Sequence, residues 1–407
     1  MDSAVVADPK RVLADLEALS NLTGTAAGAQ RLALTDGWAR AREWLRAELA
    51  ALPVEVEVDE AGNLWATLAG AGERPLLIGS HLDSVPDGGW LDGCLGVTAG
   101  LEVMRALAAG PTPARPTRLV DWADEEGARF GRSLLGSSAV AGLLVPDEVR
   151  GLSDADGVGL PDALAAHGVA LDDAPLAAGR VNDVDAYVEV HIEQGPVLED
   201  AGIPLGVVDG VVGIRRSRVR FEGSASHAGT TPMALRRDPV ASLSRLVLEA
   251  RRGAIAHGGV ATVGRVEASP GIPTAIAQEA TLTLDQRHRD PHVLHTMLDD
   301  ARSAAGAIAA EERTAIDWAV LQEVEPVDFD ARLVELAEES VRAVTGQCSR
   351  LHSGALHDAV MVARAGTPAV MLFVQSIDGI SHSRLEDSHP EHIEQGVAAL
   401  WELTRRL

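Results

Sequence analysis

His81-Leu82-Asp83, then Asp92-Gly93, then the pair Glu125-Glu126 gather an imidazole and several carboxylates within one short stretch of chain. His191 and His382 add to the set further along. Imidazole nitrogens combined with carboxylate oxygens suit Zn²⁺, Mn²⁺, Co²⁺ or Ni²⁺. Taken singly, each residue has an ordinary explanation: a histidine after a strand is usually a satisfied polar residue, and an Asp-Glu-Glu run a solvated loop. Recurrence changes the reading. Three apolar runs lead into a histidine within a Gly-, Asp- or Ser-bearing loop, in a chain with 13 histidines. Asp92 is the candidate bridge, because one carboxylate offers an oxygen to each of two ions about 3.5–4 Å apart. Asp83 either points its carboxylate at the far nitrogen of His81, fixing the tautomer, or serves as a turn residue. Glu125 and Glu126 face opposite ways in an extended strand. At a bent strand end, one binds metal while the other takes a proton from an attacking water. The chemistry expected is hydrolysis.

The elements that must position these residues are legible around them. Apolar runs at 75–80 and 118–123 read as buried strands delivering His81 and the glutamate pair. In an open α/β sheet, sites form beyond the carboxyl ends of the strands. Helical spacing of apolar residues extends from about 9 to 52, followed by strands at 54–58 and 64–68 joined by a turn. A helix at 96–108, surface helices and loops over 146–180, and a strand at 186–190 ending in His191 continue the α/β alternation. From 211 the pattern becomes strand 217–221, helix 239–252, strand 261–268, strand 280–287, helix 291–310 and strand 315–321. That βαββαβ order is ferredoxin-like. A helix near 331–345 and a strand at 369–374 then lead into the loop carrying His382. The expected fold is α/β: a mixed-sheet hydrolase domain from 1–210 and 327–407, interrupted by an inserted ferredoxin-like domain at 211–326.

At 407 residues, two domains are the natural arrangement. An apolar fraction of 46%, 23% charged residues and a mean hydropathy of +0.06 describe a globular chain. The formal charge of −25 argues against nucleic acid or an anionic membrane as partner, since both demand basic surface. Lys10 is the sole lysine, so recognition of an anionic ligand falls to arginine or metal. No apolar run approaches the roughly 18 residues of a membrane span. Met1-Asp2-Ser3-Ala4 lacks the basic start and apolar stretch of a signal peptide. Cys94 and Cys348 are too few for a disulfide framework. A reduced, cytoplasmic enzyme is expected.

Longer strings carry a family resemblance. Gly79-Ser80-His81-Leu82-Asp83-Ser84-Val85, Leu91-Asp92-Gly93, Glu125-Glu126-Gly127-Ala128-Arg129-Phe130, His191-Ile192-Glu193-Gln194-Gly195-Pro196 and His227-Ala228-Gly229-Thr230-Thr231-Pro232-Met233 resemble the M20-type metallo-amidohydrolases. Within that group they resemble the branch holding N-carbamoyl-L-amino acid hydrolases, β-ureidopropionases, allantoate amidohydrolases and ureidoglycolate amidohydrolases. The resemblance implies two divalent metal ions per subunit (Zn, Mn, Co or Ni). His81, Asp92 and His191 would hold one, and Asp92, Glu126 and His382 the other, with Glu125 as general base. It further implies that Gln194 and Arg287 bind the substrate's polar groups. The inserted domain would dimerise and lend His227 to the partner's active site, where it stabilises an oxyanion.

Two positions depart from the family pattern. Thr274 stands where an asparagine contacts substrate, and lacks that amide's paired donor and acceptor. Leu356 stands where glycine is common, and either narrows the pocket or blocks backbone approach to the ligand's carboxylate. Arg215, in Gly213-Ile214-Arg215-Arg216, resembles the allantoate branch. All three bear on substrate and none on metal. The expected substrate is an N-carbamoyl-L-amino acid, cleaved to the amino acid, CO₂ and ammonia, with allantoate or ureidoglycolate as rivals. A deacylase or exopeptidase would use the same metal chemistry, and a metal-stabilised binding protein is the non-catalytic alternative.

Overall fold

Leu76-Leu77-Ile78 and Leu119-Val120 are apolar at consecutive positions, as suits parallel strands buried on both faces. In the computed structural model, which describes residues 6–407, these runs form β1 (Leu76–His81) and β2 (Thr117–Trp122). Beside them lie β3 (Ala186–Ile192) and β4 (Ala369–Val374). The four strands are parallel in the spatial order β4-β3-β1-β2. Every residue of β1, β3 and β4 is buried. Antiparallel strands widen the sheet, Leu205–Val211 beside β4 and Leu64–Leu68 then Val54–Val58 beside β2, making it mixed and nine-stranded. Because the central strands run the same way, His81, Trp122, Ile192 and Val374 all end at one edge.

Both faces of this sheet are covered. Helix Cys94–Ala109 lies over β1, β2 and β3, and helices Pro9–Thr23, Pro390–Arg406 and Ala331–Thr345 continue that layer. Helices Asp358–Arg364 and Leu135–Val140 contact each other, and the first of them also contacts β3 and β4. The alternation of a strand separates the two layers. Gly396 of the terminal helix approaches Val190 and Val374, whereas His357 meets His191 and Phe373. The continuous helical spacing read over 9–52 resolves into two helices, Pro9–Thr23 and Asp36–Leu49. A short hairpin, Gly24–Thr25 with Gly28–Ala29, stands between them. Turn residues interrupt the backbone there while the apolar positions on either side still point into one core. Met1–Ala4, read above for a leader, lie outside the described residues. Among the described residues, no helix is long and apolar enough to cross a membrane.

The chain divides into two compact units, one running to Asp209 and resuming at Asp328–Leu407, the other Gly210–Val327. In the second unit the chain order is strand Gly213–Glu222, helix Pro239–His257, strands Val260–Ser269 and Glu279–His288, helix Pro291–Glu312 and strand Ala315–Val324. These four strands form one antiparallel sheet. Its spatial order is Val260–Ser269, Glu279–His288, Gly213–Glu222, Ala315–Val324. Strict alternation along Glu279–His288 buries Ala280, Leu282 and Leu284 on one face. Leu243, Leu246, Ala301, Ala305 and Ile308 of the two helices close over that face. Asp238 and Asp290 cap those helices through their carboxylates, each with a proline at the first turn.

Candidate metal centre

His81 and His191 sit inside the last residues of β1 and β3, one position further into the strands than the sequence placed them. Their rings are tilted neighbours, with centroids 5.9 Å apart. Asp92 enters from the loop before helix Cys94–Ala109. Its Oδ1 lies 3.1 Å from His191 Nε2 and 3.7 Å from His81 Nε2. Its Oδ2 lies 3.3 Å from His382 Nε2, which is also 3.4 Å from Glu126 Oε2. Asp92 thus divides its two oxygens between two groups: His81 with His191, and Glu126 with His382. In each group the potential ligand atoms lie within 4.8 Å of one another. A third such group, Glu189, His191 and His357, shares His191, but both Glu189 oxygens are occupied by Ser80 Oγ at 2.7 Å and Tyr187 Oη at 3.0 Å.

The loops explain how a strand edge produces this convergence. Past Trp122 the chain kinks at Asp124, whose φ is +53°. That bend brings Glu125 and Glu126 to one side, and their backbone N–H groups donate to Asp83 Oδ1 and Oδ2 at 3.2 and 3.1 Å. Asp83 combines the two expected roles through different atoms. Its backbone carbonyl, 3.1 Å from His81 Nδ1, orients the ring, while its carboxylate stands 3.6 Å from that nitrogen. The carboxylate is engaged by the glutamate loop, and the carbonyl of the same turn is the nearer acceptor. His191 Nδ1 is fixed in the same manner by Ile192 O at 2.9 Å. Both imidazoles so held present Nε2 toward Asp92. Gly93, at φ +65°, allows the Asp92 loop to lie against His81, since a Cβ there would fall 2.4–2.5 Å from His81 O and the imidazole.

The residues present fit divalent ions. His191 Nε2 and Glu126 Oε1 are buried without a hydrogen-bond partner, which is the condition of electron-pair donors that a cation satisfies. Electrostatics point the same way. Burial works to raise the Asp92 carboxyl, but His191 and His382 outweigh it and hold it well below the usual carboxylate range. Burial works to lower His191, and Asp92 outweighs it, so the imidazole is pushed up to about 9. Without an ion, a proton takes the cation's place. Glu125, with its Oε2 3.7 Å from His81 Nε2, is raised well above the usual range by burial and then by Asp358, Glu126, Asp83 and Asp92. A carboxylate raised in that way is a proton acceptor of the strength general-base catalysis needs.

Several neighbours escaped the sequence reading. Glu386 accepts the backbone N–H of Leu91 and Asp92 on Oε1, and Ser381 Oγ–H and His382 N–H on Oε2. Arg31, fully buried, donates to Leu82 O at 2.8 Å and Gly89 O at 3.3 Å. Asp121 accepts Leu82 N–H at 2.8 Å and is neutralised by Arg42 Nε at 2.6 Å. These contacts run through backbone groups, for which residue spacing holds no pattern. Only the acidic residue in the same short loop as His382 was there to be noticed.

Of the expected substrate residues, Gln194 joins the centre, with Nε2 2.9 Å from Asp92 Oδ2 and 3.1 Å from Ser381 Oγ. Leu356 is half-buried one residue before His357, whose ring centroid lies 4.6 Å from that of His191. The remaining four belong to the second unit. There His227 and Ala275 are paired, and Thr274 O accepts Ala228 N–H at 2.9 Å, so His227 and Thr274 are close neighbours. His227 is exposed and its Nδ1 accepts Gly229 N–H at 3.1 Å. The neutral ring then carries its proton on Nε2, as a donor. Arg287 is held by Asp285 through Nε at 2.7 Å and Nη2 at 3.3 Å. Arg215 is buried and donates to Ile214 O, Val324 O and Glu325. This occupation ties two strands of its own sheet together.

Comparison with known proteins agrees with this chemistry. The model of the peptidase family M20/M25/M40 matches residues 77–406. An allantoate amidohydrolase of Escherichia coli (strain K12) is 37% identical over 380 residues, 92% of each chain. An N-carbamoyl-L-amino-acid amidohydrolase of Paenarthrobacter aurescens is 34% identical over 406 residues, 98% of each. The crystal structure of an amidase of the hydantoinase/carbamoylase family from Burkholderia multivorans superposes with a TM-score of 0.91, at 34% identity and covering 98% of both chains.

Proposed function

The chain belongs to the peptidase family M20/M25/M40, and on that premise we propose that it hydrolyses N-carbamoyl-L-amino acids to the amino acid, CO₂ and ammonia. It is a hydrolase of linear amide C–N bonds, the class its relatives share. What carries the reading is Asp92, which directs one oxygen to His81 and His191 and the other toward His382 and Glu126, beside the buried Glu125. His81, Asp92 and His191 would hold one ion, and Asp92, Glu126 and His382 a second. When bound, such ions polarise a carbonyl and lower the pKa of water.

The remaining steps fall to side chains. Glu125 takes a proton from the attacking water as the C–O bond forms and returns it to the leaving nitrogen as the C–N bond breaks. The carbamic acid so formed then loses its remaining C–N bond spontaneously, giving CO₂ and the second amine. Gln194 directs its amide at the ureido group. Arg287, oriented by Asp285, pairs with the substrate carboxylate as a fork. We assign Thr274, Leu356 and Arg215 to the choice among ureido substrates. In the site of the partner subunit, His227 Nε2–H would donate to the oxyanion that develops on the carbonyl oxygen. We assign 211–326 as the lid and dimerisation domain. Supporting this, its outer strand Val260–Ser269 has one unpaired edge and exposes Val260 and Val266, at 59% and 56%.

Allantoate, a ureido acid with the same reacting group, is the second reading, favoured by the allantoate amidohydrolase at 37% identity. An ammonia-release assay of protein loaded in turn with Mn²⁺, Co²⁺, Ni²⁺ and Zn²⁺ tests both. The panel contains N-carbamoyl amino acids, β-ureidopropionate, allantoate and ureidoglycolate, with dipeptides and acetylated amino acids as controls. Highest kcat/KM on an N-carbamoyl-L-amino acid is expected, and preference for allantoate would transfer the assignment to the second reading. Turnover confined to dipeptides, or no turnover at all, would overturn both.

A further inference from the structure

We propose that Glu386 is a positioning residue that holds together two of the three loops supplying ligands to the second ion, and so controls occupancy of that ion. This rests on the two-ion reading above. The Glu386 carboxylate is buried, at 2% exposure, and accepts four donors from two loops. Oε1 takes Leu91 N–H at 3.1 Å and Asp92 N–H at 3.0 Å, in the loop of the bridging carboxylate. Oε2 takes Ser381 Oγ–H at 3.1 Å and His382 N–H at 3.3 Å. Ser381 Oγ in turn stands 3.3 Å from Asp92 Oδ2, the oxygen facing His382.

Of the second ion's candidate ligands, His382 depends most on such a tie. His382 lies beyond the end of β4, with its side chain half exposed and its φ at +54°. His81 and His191, by contrast, are strand residues with Nδ1 fixed by carbonyl groups of their own turns. Loss of Glu386 therefore falls on the Asp92–Glu126–His382 group first. A glutamine cannot replace it. Whichever way the amide lies, its NH₂ meets at least one backbone N–H in place of an acceptor.

Gly89 offers a second route to the same contact. A Cβ on Gly89 would lie 1.9–2.4 Å from the Glu386 carboxyl atoms, so Gly89→Ala displaces the end of that side chain while leaving its charge in the protein. The experiment titrates Mn²⁺ and Zn²⁺ into metal-stripped wild type, Glu386→Gln and Gly89→Ala, following heat and ion-to-protein ratio. Melting of each metal-free protein is recorded alongside. Wild type is expected to take two ions. Both variants should keep the first ion and bind the second on the order of 10- to 100-fold more weakly, the usual consequence of losing a partner that orients ligands, at little change in metal-free melting. Two ions bound by both variants with wild-type affinity would overturn the assignment, as would equal weakening of both ions. If Glu386→Gln does not fold, Gly89→Ala decides by the same criterion. A wild type that binds fewer than two ions would instead overturn the two-ion reading, and this assignment with it.

Discussion

At the scale of single residues, the centre is a balance between buried carboxylates and the positive charge that must offset them. His81, Asp92, Glu126, His191 and His382 were recognisable because metal chemistry restricts residue type, and the structure brings all five together. Asp83 was recognisable as a neighbour but not in its action, since the choice between its carbonyl and its carboxylate depends on a turn. The protonation states have a consequence for stability. Burial and neighbouring acids raise Glu125 and Glu126, and Asp92 raises His191 to about 9 despite burial. Each group binds protons more tightly folded than unfolded, so metal-free stability falls as pH rises. The His191 contribution is fully present below its unfolded value of 6.5 and is lost as pH passes about 9. The depressed Asp92 works oppositely, but only in acid, below the ordinary value of 3.8. Melting of chelator-treated protein should therefore drop between pH 6.5 and 9, and added metal should remove most of that slope. A rising melting temperature across this interval would contradict the proton-for-metal exchange.

At the scale of elements, four parallel strands ending at one edge deliver ligands that lie far apart in sequence. Strands at 54–58, 64–68 and 369–374 and the helix at 331–345 coincide with the sequence reading, because 54–58 and the helix each show one clear period and the other two are short apolar runs bounded by turn residues. The hairpin between the first two helices and the two-residue pairing of Ser226–His227 with Ala275–Ile276 were not legible. Elements that short display no period, and their existence depends on what packs beside them. The loop at Gly93 is the element on which ligand geometry depends most. Gly93→Ala would meet both a left-handed backbone and the His81 main chain. Gly131→Ala meets the backbone conformation alone, as Gly131 has φ +76° and nothing within 4 Å of its missing Cβ. Urea unfolding of metal-free protein should cost on the order of 1–3 kcal/mol at Gly131 and clearly more at Gly93, with ion affinity weakened only at Gly93. Equal costs would argue that the Asp92 loop yields freely.

At the scale of the whole molecule, a charge of −25 surrounds a site proposed to take an anionic acid. Metal and arginine must then supply attraction that the overall field does not. The division into two units was visible as a change of pattern near 211, because a run of strands and helices with its own periodicity interrupts the α/β alternation. The role proposed for that second unit rests on family resemblance alone, since an oxyanion donor lent between subunits would leave no mark in periodicity. If His227 serves its partner's site, inactive Glu125→Ala and His227→Ala proteins should complement each other when mixed and allowed to exchange subunits. Random pairing yields half hybrids, each with one complete site of two, so recovery should approach about a quarter of wild-type activity. No recovery despite demonstrated exchange would place the whole site within one chain. The most direct test of the account is a paired measurement on Glu125→Gln: bound ions per subunit, and kcat on the preferred substrate of the ammonia-release panel. Two ions with kcat reduced on the order of 10²- to 10⁴-fold is the result predicted, and wild-type turnover with full metal content would contradict it.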